Sequence, residues 1–519
     1  MKSFHLFLFV VLASACAKKP TPGVAQNRWS DERLWPVLEA QEHRDNGKLC
    51  ALLGDSSALV REVAAFAFAS TQDSASRPCL LKALGDDAPA VRSNAAFALG
   101  FVADSASVAA MAMMAVNEKD TVVQRAMLSA AFIAMQRNGL LKDPNAILYY
   151  MDHARGHECA RAADALRRLP DSLVLRAVSE IDARMATQET DARQFLILAM
   201  RKFGEQANRA LIGRIAVENS RKNERVSAQR VYGKLYQDEG SEEVLLSAPM
   251  CAAENEAVLE ALRGREQLDA RVVFGFVDQY SDTLMKVGLL ELVLRHSDGT
   301  LADTAHLMLE RIGASVHNPF LRAAVINAQA SKPQDGDFGK LMALLRSDAH
   351  PAERQAALQG AIAIVRERMK RARYASRDAQ YAELGTVVKA AINTNDAGLI
   401  CAAAELLQEE EADVIRILLP KELEQIAFAP LQPIRDLEAR QLLQQATAKR
   451  DGLPAPTHEH PASNHPIDKN KLRALKQGLR YRIVTNKGEI VIATDVNECP
   501  GSSLAFDSLV TAGYYNGKY

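Results

Sequence analysis

Seven cysteines, eleven histidines and several charged runs are the places where this 519-residue sequence could do chemistry. Cys16 directly follows Ala13-Ser14-Ala15, while Cys50, Cys79, Cys159, Cys251, Cys401 and Cys499 are scattered singly. No CxxC and no Cys/His cluster appears, so a zinc site is not indicated. In an exported protein some of the six later cysteines could pair, but they lie amid apolar helical residues or near element ends, so buried free thiols are the expectation. His458, His460 and His465 contain a His-x-His pair. Such a pair can bind a transition metal, but here it lacks a Cys or carboxylate frame, so no metal and no cofactor is expected. Arg61 and Arg92 are either ligand-facing cations or partners of the turn aspartate of a neighbouring unit, and the second reading is the expectation. Glu409-Glu410-Glu411, with Glu405 a turn earlier, reads as a solvated helix face that could meet a cationic partner. Arg366 to Arg373 forms one local basic patch. No catalytic constellation emerges from these residues.

Composition limits what holds them. Lysine and arginine number 63 against 64 aspartate and glutamate, a net charge of −1, which leaves no electrostatic footprint for nucleic acid. Hydrophobic residues make up 48% and aromatics only 6%. Alanine and leucine recur while β-branched alternation is absent until the last 40 or so residues, so the fold class is mainly α. Residues 1–16 carry a basic Lys2, an apolar run from Leu6 to Ala13 too short to span a bilayer, and small residues before Cys16. This resembles a bacterial lipoprotein signal peptide, which implies lipidation of Cys16, export, and attachment to a membrane facing the periplasm. Residues 17–28 read as a tether with Pro20 and Pro22.

From residue 29 to 447 the sequence reads as one α-solenoid. Val60-Arg61 is followed by Ala64, Ala67 and Phe68; Val91-Arg92 by Ala95, Ala98 and Leu99; Val123-Gln124 by Met127, Ala130 and Ala131. A repeat near 31 residues marks stacked helix pairs, each unable to bury its apolar face alone. Asp55, Asp87 and Asp120 stand where a carboxylate can bond the free N–H groups of a helix start. Pro89 suits a first helical turn. The pattern resembles HEAT-type repeats and returns at Asp348, Pro351, Arg354 and Ala357, a constant offset of 262 from Asp86, Pro89, Arg92 and Ala95. Between these stretches the motif decays. Residues 448–470, with Pro454, Pro456, Pro461 and Pro466, read as an extended linker.

Residues 471–519 change character. Tyr481–Thr485 and Glu489–Thr494 are strand patterns around Asn486-Lys487-Gly488, followed by a helix opened by Pro500, capped by Ser502 or Ser503 and ended by Gly513. The run Thr485-Asn486-Lys487-Gly488, Cys499-Pro500, Phe506, Leu509 and Gly513-Tyr514-Tyr515-Asn516-Gly517 resembles the opening of a cyclophilin-type peptidyl-prolyl cis-trans isomerase. Ala505 stands where that family has Asn, Ser503 where it has an apolar residue, and Cys499 where it has Ala. The resemblance implies a β-barrel of which these residues are an incomplete start. It also implies that Phe-His-Arg should follow, and that Arg carries the catalysis. An isomerase needs an apolar proline pocket and a donor aimed at the twisted amide. Neither is encoded up to Tyr519, so the chain as given is expected to be inactive, with no catalytic residue assigned; a premature stop, a frameshift or an incomplete gene model would reconcile the two. Two functions are expected from these readings. One is an isomerase by family, fused to a scaffold that binds proteins or proline-containing peptides on its solenoid. The other is a membrane-anchored scaffold without enzymatic activity.

Overall fold

The computed structural model describes residues 26–517, apart from 186–187, 189, 239, 248–250, 458–465 and 487. Cys16 and the whole leader lie outside the described residues, as do His458, His460 and His465. The chain divides into two compact units, one containing residues up to 180 together with those from 463, the other containing 181–462. No described helix is long and apolar enough to cross a membrane.

In the first unit, helices come in antiparallel pairs. The first seven helices are α1 (Trp35–Glu42), α2 (Asn46–Leu52), α3 (Ala58–Thr71), α4 (Arg77–Ala83), α5 (Pro89–Val102), α6 (Ser105–Asn117) and α7 (Thr121–Arg137), with α2 paired to α3, α4 to α5 and α6 to α7. The second helix of each pair, α3, α5 and α7, packs against the next. Its buried stripe contains the residues spaced three and four apart in the sequence: Val60, Ala64, Ala67 and Phe68 on α3, Val91, Ala95, Ala98 and Leu99 on α5, and Val123, Met127, Ala130 and Ala131 on α7. Small residues set the approach distance. A Cβ on Gly100 would stand 3.3 Å from Ala130 Cα, so glycine there lets α5 and α7 touch backbone to backbone.

Side chains start the helices at the polar turns. Asp45 accepts from Lys48 N, Asp104 from Ser107 N, and Asp120 from Val122 N and Val123 N. Asp55 accepts from Ser57 N at 2.7 Å. At the second turn the acceptor is Asp86, which bonds Ala88 N at 2.8 Å, and not the expected Asp87. Asp86 stands three residues before Pro89, the first helical residue, as Asp55 stands three before Ala58, so the two turns are closed in the same way.

The cysteine expectation needs correction. Cys50 on α2 and Cys79 on α4 form a disulfide with Cα atoms 5.8 Å apart. They are 29 residues apart, close to one repeat, so stacking brings equivalent positions of successive first helices together. Cys159 is buried and free; Cys251 and Cys401 are partly exposed; Cys499 is exposed.

The same unit contains β1 (Arg480–Thr485) and β2 (Gly488–Ala493), antiparallel with Arg480 opposite Ala493 and Thr485 opposite Gly488. The helix Pro500–Thr511 follows. Its N-cap position is Cys499, without a side-chain cap; Ser502 and Ser503 lie inside the helix, because Pro500 already occupies the first turn. Gly513 ends it in the left-handed region, φ +69°, with Tyr514 N bonding back to Leu509 O. Among the described residues these two strands form the entire sheet, and no barrel is present.

These last residues close onto the beginning of the chain. Trp29 is buried, and its Nε1–H donates to Val496 O at 2.9 Å. Asn27 Nδ2 donates to the carbonyls of Leu472 and Leu475, and Arg28 N to Asn497 Oδ1. Leu472, Val496 and Leu504 share one core with Trp29, Leu34, Val37 and Leu38. An end of a repeat stack has no neighbour to cover it, and here the sequence-distant C-terminal segment does so.

In the second unit, helix pairs continue from Thr190 to Asp451. The helix Leu437–Asp451 runs past the expected end at 447 and stops at Gly452, whose φ is +69°. Residues 453–457 have no regular structure.

Candidate interaction surface and the arginine ladder

The two arginines singled out by their spacing are both built into the stack. Arg61 on α3 reaches the turn before the next second helix, with Nε 2.7 Å from Asp86 Oδ2 and Nη2 3.0 Å from Oδ1, while Nη1 donates to Asp55 O. Arg92 repeats this on Glu118, at 2.8 Å and 2.9 Å, with Nη1 on Asp86 O. Both are therefore partners of a neighbouring unit's acid. The second acid is a glutamate where an aspartate was expected, because Glu118 also accepts from Asp120 N and so closes the turn itself. The forked, charge-assisted geometry is the strongest form of such a contact. The Arg61 guanidinium holds the Asp86 carboxyl below the ordinary range, and Arg92 does the same to Glu118.

The ladder continues where the sequence motif fades. Arg193 pairs with Glu224 at 3.1 Å, Arg225 with Glu254, Arg322 with Glu353 at 2.7 Å and Arg354 with Asp396 at 3.0 Å. Glu224 and Glu254 are fully buried, so each depends on its arginine. Sequence reading found Arg354 and missed Arg193, Arg225 and Arg322. For Arg225 a usable signal was present, an acid or amide six residues before an arginine, as in Asp55–Arg61, Asp86–Arg92, Asn219–Arg225 and Asp348–Arg354; Arg193 and Arg322 follow Thr187 and Val316 at that spacing and lack it. Asn219 closes its turn through Arg221 N, as Asp55 does through Ser57 N.

The acidic and basic runs meet each other. Arg366 lies 2.7 Å from Glu409 and 3.6 Å from Glu410; Arg368 pairs with Glu383; Lys370 and Arg371 pair with Glu367 on their own helix. Much of the charge that could have attracted an outside partner is thus used inside the second unit.

Large apolar side chains remain exposed at several places in the first unit, among them Phe97, Met113, Val122, Leu140 and the hairpin. Along the second helices the rings of Phe66 and Phe97 stack with centroids 5.9 Å apart, Phe101 meets Phe97 edge-on, and Arg137 covers Phe101. On the hairpin, Tyr481 packs edge-on against Phe506 and donates to Asp507 at 2.8 Å. Burial and that carboxylate push the Tyr481 hydroxyl up to about 12. Both strand faces are otherwise open: Val484 is 68% exposed, Val491 60% and Ile490 55%.

A family model of HEAT repeats matches residues 47–131. This stretch is a HEAT array. A search among curated proteins returns no match. The matched residues are the α2–α7 stretch, where the arginine forks and the Gly100 contact are found. HEAT repeats generally mediate contacts between proteins.

Proposed function

We propose that this protein is a binding scaffold, exported and held on a bacterial membrane: its HEAT-repeat surface takes protein partners, including proline-containing segments. The observation that carries this reading is the stack itself, with arginine forks fixing one helix pair to the next and an aromatic row along the second helices in which Phe97 is exposed and Phe66 and Phe101 are half-buried. Aromatic rows of this kind suit extended, proline-bearing peptides. Lipidation of Cys16 supplies the membrane attachment in this proposal. The Cys50–Cys79 disulfide supports an oxidising compartment.

The cyclophilin-type reading of residues 471–519 is kept as part of the proposal. The hairpin, the helix after Pro500 and the Tyr481–Phe506 contact are in its favour. Prolyl catalysis requires an enclosed apolar pocket, and both faces of this hairpin are open to solvent. The chain is therefore expected to leave the slow X–Pro exchange of a test peptide at its spontaneous rate. Acceleration by the purified chain overturns that part. The scaffold itself is tested by cross-linking the intact protein on its native membrane and mapping the linked residues. Cross-links to other proteins on Ala58–Thr71, Pro89–Val102 and Thr121–Arg137 are the expected result; cross-links only within the chain refute it. Cys16→Ala is expected to release the protein from the membrane fraction and to lower its mass by the lipid. Unchanged mass and partitioning refute the anchor.

A further inference from the structure

The two edges of the hairpin differ. A two-stranded sheet leaves one edge of each strand unpaired, and among the described residues no further strand joins either. Thr485 lies opposite Gly488 and Tyr481 opposite Ile492, and just past the strand ends Thr494 N donates to Leu479 O at 3.0 Å. Bonded and unbonded pairs alternate in an antiparallel ladder, so Tyr481, Ile483, Ile490 and Ile492 turn their backbone groups inward. The N–H and C=O groups of Glu489, Val491 and Ala493 therefore point out of β2, and those of Arg480, Arg482 and Val484 out of β1. Side chains sharpen the contrast. β1 carries Arg480 and Arg482, and its Tyr481 is covered by Phe506. Every residue of β2 is exposed, and its only charge is Glu489. Sheet edges are commonly blocked by lysine, proline, a bulge or an inward charge. The stretch Ile490-Val491-Ile492-Ala493 has none of these, and its pairing with β1 is unbroken. Such an edge is a template for another strand.

We propose that β2 pairs antiparallel with β2 of a second copy of this chain, joining two hairpins into one four-stranded sheet. A two-fold axis at Val491 sets Val491 against the partner's Val491 and Glu489 against the partner's Ala493. These are the residues whose backbone groups point outward, so the pairing forms about six backbone hydrogen bonds. Ile490 then stands beside the partner's Ile492 in the close, unbonded setting, on the face where Tyr481 meets Phe506. Charge selects this strand for self-pairing. The two Glu489 carboxylates end up four positions apart, about 13 Å, and each has Arg482 of its own hairpin at 3.9 Å. The same symmetric pairing of β1 about Arg482 opposes two arginines, which is destabilising. The arginine-bearing β1 strands become the outer edges of the joined sheet, so association closes at two copies. The contact is smaller than that of a permanent dimer, and the dimer is therefore reversible.

The test is sedimentation of the full chain carrying Cys16→Ala, which removes the proposed lipid as a cause of association, between about 1 and 200 μM. A concentration-dependent dimer is expected. Val491→Lys and Val491→Glu each place like charges on the axis and should weaken it about fivefold or more. An equimolar mixture of the two sets lysine against glutamate and should restore association, which variants that merely loosened the hairpin would not do. Val484→Lys, on the β1 edge, should leave the dimer unchanged. Under mild oxidation Val491→Cys should give a dimer linked from position 491 to position 491, mapped by mass spectrometry. Glu489→Cys, about 13 Å from its counterpart, should give no link between the two 489 positions. A monomer throughout the concentration range, a dimer disrupted by Val484→Lys and untouched by Val491→Lys, or no recovery on mixing the two charged variants overturns the proposal.

Discussion

Trp29→Ala should detach the C-terminal segment from the first repeats while most of the second unit stays folded. Trp29 is 2% exposed and is shared between the start of the chain and the residues around Val496. A tryptophan buries 150–250 Å², so at about 25 cal/mol/Å² its transfer contributes about 4–6 kcal/mol. A compact unfolded state reduces this to about 3–5 kcal/mol, the range seen when a large aromatic is cut to alanine. The lost Nε1–H bond also leaves the Val496 carbonyl without its donor. Part of this loss falls on the first unit as a whole, and the rest on docking of residues 466–517. Since 1.4 kcal/mol is a factor of ten, amides in that segment should lose about two powers of ten in hydrogen-exchange protection. Exchange measured by mass spectrometry on the full chain reads this directly, peptide by peptide. Trp35→Phe is the control: Trp35 is only partly buried, donates to Trp29 O at 3.1 Å and has Lys469 over its ring, so about 1 kcal/mol is expected. Protection of residues 466–512 unchanged in Trp29→Ala would refute the idea that this side chain joins the two ends.

Other perturbations test the stack. Arg92→Met strands Glu118, whose side chain is 9% exposed, and should cost about 2 kcal/mol at neutral pH, somewhat below a fully buried pair. Because Arg92 holds the Glu118 pKa below its ordinary 4.5, that contribution is present above about pH 4.5 and is lost as pH falls through the lowered folded value. Urea melts of both proteins should therefore converge in acid; a difference that persists below that range contradicts the pairing. Replacing Cys50 and Cys79 with alanine opens a loop spanning 29 residues and should destabilise the first unit by about 3–4 kcal/mol, read as a lower melting temperature that reductant no longer changes. Gly100→Leu pushes a side chain into Ala130 and should cost about 1–3 kcal/mol or more, with near-ultraviolet circular dichroism reporting the displaced helices.

The repeat architecture was legible because stacking leaves a periodic trace. Val60, Val91 and Val123 each open a buried stripe, and Arg61 and Arg92 mark the rungs. The hairpin was legible for a local reason, a polar turn between two apolar runs, and its strands begin and end within a residue of the expected positions. What escaped depends on distance along the chain. The disulfide joins residues that only stacking makes neighbours. The pairing of Arg366 with Glu409 joins two runs that each looked like an independent surface feature. The two tryptophans gave no sign of their partner, since Val496 contributes a backbone carbonyl, which carries no side-chain signature. Arg225 was hidden because its turn uses Asn219 where the earlier units use aspartate.

The meeting of residue 26 with residue 497, through Asn497 Nδ2 and Gln26 O, has a mechanical consequence. Ten residues separate Gln26 from Cys16, and a chain of that length spans at most about 36 Å. A lipid on Cys16 would thus keep the open hairpin within a short leash of the bilayer, although it lies about 470 positions further along the polypeptide. Tension on the anchor would load the Trp29 clasp first, so traction, as well as chemistry, could decide when those strands are presented.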